Sequence, residues 1–184
     1  MRILMLLALV IPGIMTSQAA EKPGAAEILG SSPDGSITIQ RSHAGETGQH
    51  VEFLDAKTGN LLFAYPGTWS STNLVWEKSG AFLCINEETP TSGDFIHIFK
   101  ITGGRIALLR APGAGDFSSA LRVMLAAMPS PGRFTFTGEK WTDKNHLLAV
   151  VSGGHYGDSY FETLLQIDDD GRIEIIKPKP APQR

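Results

Sequence analysis

A single cysteine, Cys84, stands in 184 residues, so no internal disulfide can staple this chain. Beyond residue 20 no run reaches 18 consecutive apolar residues, which excludes a membrane-spanning helix from that part of the sequence. Basic residues are not concentrated anywhere. Sixteen Lys+Arg oppose 19 Asp+Glu for a formal net charge of −3, whereas phosphate neutralisation needs clustered cations, so nucleic acid is not an expected partner. Glycine and proline, 20 and 11 residues, are too few for a low-complexity chain and lack the period of a collagen. What is present is 42% apolar residues, enough for one packed core in a chain of single-domain length.

The N-terminus reads as a targeting segment. Met1-Arg2 gives one positive charge, and Ile3 to Ile11 is an unbroken apolar run that Pro12-Gly13 ends. Ser17 and Ala19 then supply small residues at −3 and −1 for cleavage after Ala19; cleavage after Ala20 is the alternative. The order predicts a cleavable signal peptide over residues 1–19, a periplasmic or secreted protein, and no membrane span once it is removed. In an oxidising compartment Cys84 would be the only thiol, and its place in Ala81-Phe82-Leu83-Cys84-Ile85 reads as a buried small hydrophobe.

The rest repeats itself three times: turn, apolar strand, loop, apolar strand, glycine turn, apolar strand. The units span about 31–66, 74–110 and 139–176. Their first turns are Ser32-Pro33-Asp34-Gly35, Glu77-Lys78-Ser79-Gly80 and Asp143-Lys144-Asn145. Gly35 to Gly59 and Gly80 to Gly104 are each 24 residues, and Asn145 to Gly171 is 26. Asp-Gly, Ser-Gly, Lys-Asn and Gly-Gly are residues that tolerate the positive φ of tight hairpins, and the β-branched and aromatic content of the runs between them is that of strands. The expected fold is all-β: three antiparallel three-stranded meanders, one domain over 31–176, with a β-sandwich or barrel as alternatives. One such sheet cannot bury both its faces, so the units must pack on one another.

The third unit starts 65 residues after the second, from Gly80 to Asn145, against 45 between the first two. The excess holds the one helical pattern: Phe117, Leu121, Met124, Leu125 and Met128 fall on one face, and Pro129 ends it, which predicts a short inserted helix over 116–128. Residues 20–30 read as a flexible leader. The Pro-rich tail 177–184 reads as extended chain outside any ladder.

Ser32-Pro33-Asp34-Gly35, the Trp-led corners Val75-Trp76 and Lys140-Trp141, and the turn Asp55-Ala56-Lys57-Thr58-Gly59 together resemble the WD40-like repeat of TolB-type β-propeller proteins. The resemblance covers most of residues 32–176 and implies propeller blades. Closed propellers have four to eight blades and this chain has three units, so it implies closure with a second chain, an open array, or collapse into a sandwich or barrel. It implies a scaffold for binding and brings no catalytic residue, because the matched motif is a turn.

The densest polar and aromatic stretch is Ser152 to Tyr160, which carries His155, Tyr156, Asp158 and Tyr160. It joins the second and third apolar runs of its unit, as residues 87–94 do with Glu87, Glu88 and Asp94, and residues 43–49 with His43. If the units pack alike, these stretches meet on one side as a binding surface for a protein, peptide or glycan. His43, His50, His97, His146 and His155 show no metal-ligand spacing, no cofactor motif is present, and no G-x-S-x-G marks a nucleophile, so neither metal nor cofactor is expected. The leading expectation is an exported, non-enzymatic interaction module. The alternatives are a small hydrolase using His155 as base with Asp158, and a structural subunit that completes a larger propeller as a homo-oligomer.

Overall fold

The computed structural model describes residues 26–43, 49–67, 71–89, 93–109, 133–154, 159–176 and 179–180. They form three antiparallel sheets, each a meander in chain order. Sheet 1 comprises β1 (Glu27–Ser31), β2 (Ile37–His43), β3 (Gln49–Asp55) and β4 (Leu61–Gly67). Sheet 2 comprises β5 (Ser71–Trp76), β6 (Phe82–Thr89), β7 (Gly93–Thr102) and β8 (Arg105–Leu109). Sheet 3 comprises β9 (Arg133–Asp143), β10 (His146–Gly154), β11 (Ser159–Ile167) and β12 (Ile173–Ile175), with β13 (Lys179–Pro180) also on β11. The fold is all-β and its sheets fit propeller-like blades. No sheet closes into a barrel, which sets that alternative aside.

Sheets 1 and 2 have four strands and sheet 3 has five, where the sequence suggested three in each. The added strand precedes the turn, as β1, β5 or β9, and Glu27–Ser31 and Ser71–Trp76 escape notice because neither alternates apolar with polar residues. Residues 27–30 are therefore strand, not leader. Leu29 packs into the core, and a Cβ on Gly30 would come within 3.0 Å of Leu74 Cδ1, so glycine lets sheet 1 lie close on sheet 2. The Pro-rich tail is also corrected in part: Lys179 and Pro180 pair with Glu162 and Phe161. Proline is tolerated there because it lies on an edge, where a missing N–H breaks no ladder. The expected helix over 116–128 lies outside the described residues.

The repeat has a physical counterpart in the turns. In the first, Ser32 N donates to Ile37 O and Gly35 N to Ser32 O, both at 2.9 Å. In the second, Glu77 N donates to Phe82 O and Gly80 N to Glu77 O, also at 2.9 Å. Gly35 and Gly80 take φ of 72° and 79°, which a side chain would strain. Asn145 does not follow suit: among the described residues only glycines have positive φ, and its turn is held by Asp143 Oδ1, which accepts from Asn145 N at 2.8 Å.

The sheets stack with sheet 2 in the middle. Ile37, Ile39, Val51 and Phe53 of sheet 1 meet Leu83, Ile85 and Phe99 of sheet 2; Phe82, Cys84, Ile96 and Ile98 on its other face meet Phe136, Leu147, Ala149, Val151 and Leu165 of sheet 3. This explains why β6 opens on four successive apolar residues, Phe82 to Ile85, while β2 alternates, since only a strand covered on both sides buries successive residues.

Asn86 joins the second and third sheets as a side-chain rung. Its Nδ2 donates to Gly138 O at 2.8 Å, and its Oδ1 accepts from Gly138 N at 2.7 Å. Trp141 Nε1 adds a bond to Val75 O at 2.9 Å, and its ring stacks on Phe82.

Candidate functional site

Successive connections leave the stack at opposite ends, and the one long insertion, 110–132, attaches at only one of them. At one end lie the tight turns of all three sheets. The Gly80 turn lies on Pro33, Trp141 reaches Val75, and Lys100 Nζ donates to Asp169 O, so these turns share an end. Registers place His43 with Gln49, Thr89 with Gly93 and Gly153 with Ser159 at the opposite end. The connections 44–48, 90–92 and 155–158 attach there. So does 68–70, because Gly67 pairs with Gln49 and Ser71 with Glu88. The insertion 110–132 returns there as well, at Arg133 opposite Gly154.

The sequence-derived candidates fall at this end. His43 terminates β2, and Tyr160 pairs with Ser152 near the start of β11. Glu88 and Asp94 are register partners on β6 and β7. His155, Tyr156 and Asp158 lie outside the described residues.

Glu87 has a different character. It is 7% exposed, and its carboxylate meets His97 Nε2, on the face that sheet 2 turns to sheet 1. The Tyr65 hydroxyl of β4 lies 2.9 Å from His97 Nδ1, with the rings 4.7 Å apart. Beside them Arg41 of β2 is 9% exposed: Nη1 donates to Glu27 Oε2 at 3.0 Å and Nη2 to Thr72 Oγ1 at 2.9 Å, while Nε has no partner. The apolar layer between sheets 1 and 2 thus ends in a polar cluster just beneath the loop-bearing end. Glu87 could be found from sequence because it borders a loop. Tyr65, His97 and Arg41 could not, since each sits at an ordinary strand position and only the stacking of two sheets unites them.

The turn end holds a pocket of about 390 Å³ lined by Asp34, Asp55, Leu62, Gly80, Ile101 and neighbours. Its carboxylates are occupied. Hydrogen bonds from the Ser32 hydroxyl, then the Ser36 amide and hydroxyl, hold Asp34 down at about 2. The Thr58 amide and hydroxyl lower Asp55. Both fix turns. Burial raises the Cys84 thiol, which leaves it un-ionised and chemically quiet.

No family model matches the chain, and no curated protein does. A solved structure that it resembles is that of TolB from Acinetobacter baumannii, with 14% identity and a TM-score of 0.36 over 90% of this chain and 34% of that one. The chain thus spans about a third of that protein's length.

Proposed function

We propose that this chain is an exported, non-enzymatic binding module whose loop-bearing end receives a protein or peptide. One observation carries the reading: the connections 44–48, 68–70, 90–92 and 155–158 attach at the same end of the stack as the long insertion 110–132, while the hydrogen-bonded turns that hold the hairpins lie at the other end. Variable loops on a packed scaffold are how binding surfaces are built. His155, Tyr156, Asp158 and Tyr160 supply aromatic and polar contacts on the third unit, and Glu88, Asp94 and His43 extend the surface across the other two. The imidazole–carboxylate pair described above supports the same reading, because His97 and Glu87 are closed between two sheets, where the Tyr65 hydroxyl ties the pair to sheet 1.

Photo-crosslinking residues placed one at a time at Tyr156 and Glu88, and at Lys57 and Asp170 on the turn end, test this in the native compartment. Adducts from the first pair and none from the second are expected. Equal labelling from both ends, or none from the loops, overturns the proposal. Export is tested separately by N-terminal sequencing of the accumulated protein, which should begin at Ala20.

A further inference from the structure

Sheet 2 buries both faces, but sheets 1 and 3 each turn one face away from the stack. On sheet 3 that face carries Leu148 and Val150 of β10, which alternate with the buried Leu147, Ala149 and Val151. Leu164 lies opposite Leu148, and Ile176, whose N–H donates to Leu164 O, extends the row. On sheet 1 the outward face carries Ile28, paired with Gln40, and the register pair Leu54 and Leu61.

Three large apolar side chains are exposed among the described residues: Ile28 at 71%, Leu61 at 58% and Ile176 at 39%. All three lie on these two terminal faces. Polar residues share these faces, with Gln40, Ser42 and Glu52 hydrogen-bonded together on sheet 1 and Glu162, Gln166 and Glu174 on sheet 3, but among the described residues the exposed large apolar ones occur only here, at the two ends of the stack.

The chain itself shows what fits. Its sheets already stack in register twice, turn end to turn end, and repeating that operation lays sheet 1 of another copy on sheet 3. We propose that the chain forms a closed head-to-tail dimer in which sheet 3 of each copy packs on sheet 1 of the other. Such a contact is heterologous and gives a ring only if the rotation closes. Closed rings typically have four to eight sheets, and two copies, giving six, are the only multiple of three in that range. The exposed apolar residues on both faces of both copies are then covered.

Sedimentation of the purified chain across the micromolar range tests this, with two variants that alter exposed side chains only: Ile28→Lys with Leu61→Lys on sheet 1, and Ile176→Lys on sheet 3. The unaltered chain should run at twice its mass. Each variant alone should dissociate at least tenfold more readily, with a thermal midpoint equal to that of the unaltered chain once both are diluted to monomers. Mixed together, the two variants should recover a two-chain species, because one of the two contacts then joins unaltered faces. A monomeric unaltered chain overturns the proposal; hydroxyl-radical protection of Ile28, Leu61 and Ile176 in that monomer would assign the cover to the chain's own segments. A sheet 1 variant that stays dimeric overturns it too, because the contact would then be like on like. Masses that grow without limit as concentration rises exclude the closed ring.

Discussion

Gly138 is the residue on which the contact between sheets 2 and 3 is most finely set. A Cβ there would stand 2.5 Å from Cys84 Sγ, in a strand whose amide and carbonyl are both taken by Asn86. Gly138→Ala should cost about 1–3 kcal/mol by overpacking, read as a shift of the urea midpoint. Adding Cys84→Ala should restore part of that loss, so the two changes will be non-additive; strict additivity would mean the sulfur is not the obstacle. Asn86→Ala should cost roughly 1–3 kcal/mol, because it strands both buried backbone groups of Gly138. None of this could be read from the sequence. Asn86 and Gly138 lie 52 residues apart, and nothing in the neighbours of either signals a partner.

At the scale of the element, turns were the legible part and first strands were not. Ser-Pro-Asp-Gly announces itself through residues with fixed local chemistry, whereas Ser71–Trp76 becomes a strand only because β6 lies beside it. The first turn also makes a pH prediction. Asp34 falls from 3.8 in isolation to about 2 in the fold, so its contribution is complete above pH 4 and fades as the pH drops through 2. Thermal midpoints measured between pH 5 and 2 should fall more steeply for the native chain than for Asp34→Asn. Parallel curves would mean that the turn carries no such linkage. Between elements, the Glu87–His97–Tyr65 cluster fastens β4 to β6 and β7. Glu87→Ala should destabilise by roughly 3 kcal/mol, since it breaks a buried pair, and Tyr65→Phe by about 1 kcal/mol. Chemical denaturation checks both.

For the whole molecule, the order of stability should follow coverage. Hydrogen exchange ought to be slowest at Leu83 to Asn86 and Ile96 to Phe99, the stretches of sheet 2 with a neighbour on either side, and faster across β4 and β12 at the margins. Faster exchange in the middle than at the margins would mean that the sheets unfold separately. The three-unit plan and the side from which the loops leave were visible in the spacing of turn residues. The stacking order was not, because periodicity shows that a face is buried without showing what buries it. One practical result follows from the path of the chain. Glu27 pairs with Arg41, and Lys179–Pro180 lie along Phe161 and Glu162, so both the first and the last strand point their outer ends toward the loops. A fluorescent protein or resin tether fused directly ahead of Glu27 or directly after Pro180 would therefore sit on the loop side and shade that surface. A short epitope let into the exposed hairpin around Lys57 leaves that surface clear.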